Sequence, residues 1–185
     1  LFMLKINDKE EISDGMLSHK LVTGNNESSI TILFVSSLTC SPCRIAQEKI
    51  DSMLMNFRDK VKVDFRFSVD LEDKNSMISR AIRHIVAIGL TSGDLAWRAL
   101  SVWNAQQKPD IETWIKRFPI DNSPEQTQQV NALLVEQQDW FRKSQLPGTP
   151  IILINNRLYP DEYALNDLQY HVRKLTEVVS EEITT

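Results

Sequence analysis

Hydrophobic positions recur along this chain with two different periods, and the change from one to the other divides it. From Ile30 to Val35 (ITILFV) the run is continuously apolar and rich in β-branched residues, as in a strand buried on both faces. Beyond it, Ile45, Ala46, Ile50, Met53, Leu54 and Phe57 return at spacings of three and four, which predicts an amphipathic helix ending near Arg58. Val61 to Val69 (VKVDFRFSV) alternates with period two and predicts a second strand. Strand, helix and strand in that order make a βαβ unit, for which a right-handed crossover is expected.

From about Glu72 to Gln145 the strand signals vanish and the pattern is helical. Asn75 or Ser76 caps a helix carrying Ile78, Ala81, Ile82 and Ile85, and Gly89 is expected to close it in the left-handed conformation. A second helix holds Leu95, Ala99, Val102 and Trp103, and a third holds Ile111, Trp114, Ile115 and Phe118 before Pro119. The fourth is announced by Ser123-Pro124-Glu125-Gln126, a capping box with proline at the first helical position, and carries Val130, Leu133, Leu134 and Phe141. All four tryptophans lie in this stretch, which suggests a compact subdomain with its own core.

Strand character returns in LPGTPIILINNRLYPDEY, where Ile151–Ile154 and Arg157–Tyr159 flank Asn155-Asn156. Asparagine tolerates the positive φ angles of a two-residue hairpin turn, so this is a hairpin. A closing helix from Tyr163 to Val178 repeats Leu165, Leu168, Val172 and Leu175. Residues 1–29 carry the weakest pattern, an edge strand and a turn around Asn25-Asn26.

Composition narrows the partners. With 42% apolar residues and a net charge of -4, both signs scattered and no basic run, the chain can fill a core but offers no footprint for nucleic acid. No window reaches the about 20 apolar residues of a membrane span, so direct membrane insertion is not expected, and LFMLKI is too short and unflanked for a signal peptide. A chain opening at Leu1 is expected to be a processed or excised piece.

The only two cysteines, Cys40 and Cys43, form one C-x-x-C in TCSPCR, which is no disulfide framework for stability. Cys40 falls at the junction of a buried strand and a helix, where free N–H groups and the helix dipole favour an anion. In motifs so placed the first cysteine is a nucleophile with a pKa lowered to about 3.5–7, and the second, here Cys43, resolves the mixed disulfide. Ser41-Pro42 forms the bridge, and proline fits a first helical turn. A structural zinc site needs about four ligands, and His19, His84 and His171 lie far apart, so no metal is expected. Two inert, packed cysteines are the other alternative. His84, in RAIRHIVAIG, reads as a packed or surface helix residue rather than a base.

The order strand, C-x-x-C, helix, strand, helical segment, Thr149-Pro150, hairpin, helix resembles the thioredoxin superfamily, and in particular its DsbA-like thiol:disulfide oxidoreductases. The residues that carry it are Cys40-Ser41-Pro42-Cys43 and Gly148-Thr149-Pro150 through Asn156, within a match covering about residues 28 to 178. The resemblance implies an α/β fold: a central mixed sheet flanked by helices, residues 1–71 and 146–185, with a large all-helical insertion at 72–145. It further implies catalysis by Cys40 and Cys43, a cis Pro150 against the disulfide, and Thr149 pairing with an extended substrate. Cysteine-containing proteins would be the substrates, no cofactor beyond the dithiol would be needed, and the cell envelope would be the location, although cysteine count alone does not decide the compartment.

Two positions depart from the family. Thr39 stands where thioredoxins have tryptophan, and Phe34 stands six residues before the first cysteine, where the family has a buried acid that moves protons for the resolving thiol. Ser-Pro also differs from the dipeptides of thioredoxin and DsbA, which leaves the direction of the reaction open. A narrower resemblance, in SSLTCSPCR and TPIILINNRLYPDEY, is to the soluble domain fused to bacterial homologues of vitamin K epoxide reductase. It implies a quinone-linked membrane partner. The competing function is a protein-binding module on the same fold with an idle cysteine pair.

Overall fold

A computed structural model describes residues 1–183, with side chains described to residue 181. Its centre is a five-stranded mixed sheet of order β1-β3-β2-β4-β5, where β1 is Val22–Gly24, β2 Thr31–Ser36, β3 Lys62–Phe67, β4 Ile151–Ile154 and β5 Arg157–Leu158. β2 and β3 run parallel, joined through α2 (Ser41–Phe57) as the βαβ pattern predicts, and every other neighbouring pair is antiparallel. The hairpin turn is the expected one: Asn155 and Asn156 take φ of 46° and 66°. The helical segment contains α3 (Met77–Gly89), α4 (Gly93–Asn104), α5 (Ile111–Arg117) and α6 (Pro124–Lys143). Among the described residues no helix is long and apolar enough to cross a membrane.

The central strand is apolar from Ile32 to Val35 because both sides are covered. Ile32 and Phe34, with Val63, Phe65, Phe67, Ile152 and Ile154, face α2, α4 and the closing helix α7 (Leu168–Ile183). Leu33 and Val35, with Ile151 and Leu153, face the other way, under Trp140 of α6. The alternation of β3 is real, yet two of its three polar positions, Asp64 and Arg66, do not meet water. Asp64 and Arg66 are buried beside that second face as an ion pair, Nη2 to Oδ2 at 2.8 Å, with the guanidinium 4.2 Å over the Trp140 ring.

Several sequence expectations are refined. The tryptophans do not share a subdomain core: Trp97 packs edge-on against Phe34 and Phe65 of the sheet, Trp103 and Trp114 pack on each other, and Trp140 covers the opposite sheet face. The insertion's apolar interior is continuous with the sheet's because α4 lies against it. Gly89 is the last residue of α3 without a positive φ, and its smallness serves packing, since a Cβ there would sit 2.3 Å from Leu21 Cδ2. Ser76, not Asn75, is the cap, accepting from the Ser79 N–H at 3.1 Å. In the capping box Ser123 accepts from Gln126 N–H, but Gln126 returns its bond to Asn122, one residue earlier than expected. Leu95 and Ile45, counted in the apolar stripes, are exposed; α4 buries Ala96, Ala99, Leu100 and Trp103 instead. The closing helix starts later than Tyr163, through a short 3-10 turn at Leu165–Asp167. Phe2–Asn7 forms a short helix, α1, which the weak pattern at the start of the chain did not reveal; the edge strand was expected, and the turn after it spans Asn25 to Ser28.

Candidate active site

β2 delivers the chain to Ser36, and after a connection of three residues Cys40 stands as the N-cap of α2. Pro42 sits in the first turn, where its missing N–H is no loss. Cys40 has extended backbone angles and its Sγ accepts the N–H of Cys43 at 3.1 Å, filling the role that serine or aspartate usually fills at a helix start. Cys40 and Cys43 are joined as a disulfide, and among the described residues there is no free cysteine.

The two sulfurs differ in access. Cys43 is 1% exposed, while Cys40 is partly open to solvent between exposed Thr39 and Ser41. The loop before β4 lies against Cys40: the Thr149 carbonyl oxygen is 3.5 Å from its Sγ, and the Thr149–Pro150 bond is cis. Antiparallel pairing of Val35 with Ile151 brings this loop to the C-terminal end of β2, so a motif more than one hundred residues away reaches the cysteines through sheet register alone. All six residues singled out from the sequence, Cys40, Ser41, Pro42, Cys43, Thr149 and Pro150, therefore sit around one point.

On the other side of Cys40 the insertion forms a wall. A depression of about 150 Å³ is bounded by Leu38, Cys40, Arg44, Met77, Trp103 and Gln107. Met77, whose side chain is exposed, lines this surface with an apolar group. No cluster of three metal-ligating side chains occurs among the described residues, and the histidines are engaged elsewhere. His19 donates to the Gly89 carbonyl, and His171 bonds Tyr159. His84 is packed against Trp114 and donates to the Phe118 carbonyl at 2.5 Å, and burial pushes its pKa below the usual histidine range.

A partly buried polar network further along α2 was missed in the sequence. Gln47 and Asp51 follow Cys43 at four-residue steps on α2 and meet Trp97, Ser101 and Asn104 of α4. Burial raises the Asp51 carboxyl above its ordinary value, against the opposing bonds from Trp97 and Ser101, and the charge of Glu48 adds to the rise. The available signal was a polar residue, Gln47, at a position of α2 that must be buried if Cys43, Ala46 and Ile50 are.

No protein-family model and no curated protein matches the chain. Solved structures do. The thiol-disulfide exchange protein α-DsbA2 from Wolbachia pipientis superposes with a TM-score of 0.68 at 17% identity, covering 94% of this chain and 91% of its own. Oxidised BdbD from Bacillus subtilis gives 0.67 at 15% identity, covering 91% and 99%. A periplasmic thioredoxin-like protein from Salmonella enterica serovar Typhimurium gives 0.65 at 14% identity, covering 85% and 90%. With its mixed sheet, its helical insertion and its C-x-x-C disulfide at the start of α2, the chain has the DsbA-like thioredoxin fold.

Proposed function

We propose that the protein is a thiol:disulfide oxidoreductase that exchanges disulfides with cysteine-containing proteins through its CSPC site. The observation that carries this reading is the unequal pair of sulfurs: a linked Cys40 and Cys43, the first reachable from solvent at a helix N-terminus, the second buried. A substrate thiolate attacks Cys40 Sγ, the Cys40–Cys43 bond breaks, and Cys43 leaves as a thiolate that takes up a proton. A second substrate thiolate then attacks the substrate sulfur of the mixed disulfide, forming the substrate's disulfide and releasing Cys40 as a thiolate. The helix dipole and the Cys43 N–H hold that charge. Run backwards, the same steps reduce a substrate disulfide, with Cys40 as nucleophile and Cys43 as the resolving thiol.

Thr149 and Pro150 form the substrate-facing wall in this reading, and residues 72–145 act as the unit that limits which proteins approach Cys40. The periplasmic relative supports a place in the cell envelope. The finer assignment, electron transfer to a quinone-linked membrane partner of the vitamin K epoxide reductase type, rests on the likeness of the SSLTCSPCR and TPIILINNRLYPDEY segments. The test is a Cys43→Ala variant exposed to reduced and oxidised envelope proteins. Mixed disulfides through Cys40, abolished by adding Cys40→Ala, are the expected result. A variant that traps nothing, while the wild type still holds partners non-covalently, would establish the binding module instead.

A further inference from the structure

The acid that DsbA-like chains carry six residues before the first cysteine is replaced here by fully buried Phe34. Phe34 and the indole of Trp97 meet in a T-shaped pair, ring centroids 6.1 Å apart, and the same indole donates from Nε1 to Asp51 Oδ1 at 2.6 Å. A half-buried carboxyl is thus held against the indole that Phe34 touches, presented from the active-site helix rather than from the central strand. Resting on the oxidoreductase reading, we propose that Asp51 is a positioning residue for the redox pair: its charge sets how readily Cys40–Cys43 is reduced and makes that equilibrium depend on pH.

The hydrogen bonds around Asp51 accommodate two protonation states without moving a heavy atom. Ser101 Oγ lies 3.2 Å from Asp51 Oδ2 and 3.0 Å from the Trp97 carbonyl oxygen, and it accepts Gln47 Nε2 at 2.8 Å. With Asp51 ionised, the Ser101 hydroxyl donates to the carboxylate. With Asp51 protonated, the carboxylic acid donates to Ser101 Oγ, and the hydroxyl turns to the Trp97 carbonyl; a hydroxyl has the two lone pairs this requires. Gln47 is held in turn by Asn104 Nδ2, so Gln47 and Asp51, one and two turns beyond Cys43 on α2, are both pinned to α4. Every direct partner of the carboxyl is neutral. Glu48, three residues earlier on α2, is the charged group acting on it, α4 presents the Trp97 indole and the Ser101 hydroxyl with Arg98 turned to solvent, and α7 contributes apolar Leu168, Val172 and Leu175 to the core it shares with α2. No cation offsets the Asp51 charge in this set.

The sign follows from repulsion. Eleven residues separate Asp51 from Cys40, the N-cap of α2, about 16 Å of helical rise, so an ionised Asp51 disfavours a Cys40 thiolate and with it the reduced state. For charges about 16 Å apart at an effective dielectric near 20, the effect on the equilibrium is about fivefold. Asp51 breaks and forms no covalent bond; it acts through charge alone.

The experiment equilibrates wild type and Asp51→Asn in glutathione buffers from acid to mildly alkaline pH and counts thiols by alkylation and mass. The asparagine side chain preserves the shape, accepting from Trp97 and donating to Ser101, so the variant is expected to fold, as circular dichroism will check. The expected result is an about fivefold shift toward the dithiol in D51N on the alkaline side, fading to none where wild-type Asp51 is protonated. Superposable curves at every pH overturn the proposal while leaving the oxidoreductase reading intact; a wild type that never exchanges with glutathione overturns that reading. The wild-type curve is a second readout. It should bend at an ionisation that alkylation does not assign to either cysteine, and its absence overturns the proposal even if D51N fails to fold.

Discussion

Truncating Arg66 to alanine should be among the most damaging single changes in this protein, and the reason lies in what is left behind. The guanidinium is 1% exposed, binds Asp64 through Nε at 3.4 Å and Nη2 at 2.8 Å, and stacks 4.2 Å from the Trp140 ring. Removing one partner of a buried pair costs about 3–5 kcal/mol, because the remaining charge has no water and no counter-ion. Loss of a desolvated cation–π contact adds up to about 2 kcal/mol. Against a typical total stability of about 5–15 kcal/mol, Arg66→Ala should unfold a large share of the protein. The pair itself is not optimal, since Arg66 Nη1 is buried with no partner. Replacing both residues by apolar ones of similar volume, Asp64→Leu with Arg66→Met, should therefore be neutral or stabilising by about 1–4 kcal/mol. Urea unfolding followed by circular dichroism gives the four corners of the cycle. An Arg66→Ala cost below about 1 kcal/mol, or a double replacement as harmful as the single truncation, would show that a stranded buried charge is not what sets the cost.

Other outcomes follow from the same geometry. In a reduced Cys43→Ser variant, Cys40 should be alkylated at neutral pH much faster in the folded protein than in urea, because folding brings the helix N-terminus and the residue 43 N–H to its sulfur; equal rates would remove the basis for its nucleophilicity. Gly93→Ala should destabilise severely, by more than about 2 kcal/mol, since a Cβ there would lie 1.8 Å from the Val22 carbonyl oxygen of β1 and backbone must move; a near-neutral midpoint in thermal melts would contradict it. His84 has its pKa lowered first by burial, with its bond to Phe118 opposing, so the unfolded chain takes the proton more readily than the folded one. Its contribution is complete above the unfolded pKa of about 6.5 and is lost as pH falls through the folded value, and His84→Gln should flatten that slope in urea titrations across this window.

How far the sequence spoke for the fold depended on whether one residue's environment is local or made by distant chain. β2 was legible because burial on both faces leaves an apolar run from Ile32 to Val35, and the hairpin because Asn155 and Asn156 must accept positive φ. The cysteines were legible because strand, proline and helix lie next to them in sequence. Asp64 and Arg66 were not, since their polarity matched a solvent face and only the approach of Trp140 from α6 reveals burial. Asp51 was hidden for the same reason, its partners lying some fifty residues away on α4, and of that network only Gln47 left a trace in the helix pattern, as a polar residue at a buried position. Gly89 suggests a backbone role that its actual neighbour, Leu21, turns into a packing one. Phe34 by itself reads as a missing acid, and its meaning changes once Trp97 is seen against it.

Everything proposed for the site depends on Cys40 and Cys43 cycling between disulfide and dithiol as a working pair in the folded protein. The redox equilibrium of the native protein across glutathione ratios, with thiols counted by mass after alkylation, measures this without an intermediary. The prediction is a single two-electron transition, both thiols appearing together, with a potential between about -120 mV, as in DsbA, and about -270 mV, as in thioredoxin. A disulfide that stays closed across that range until the protein unfolds would contradict it and make the pair a structural staple.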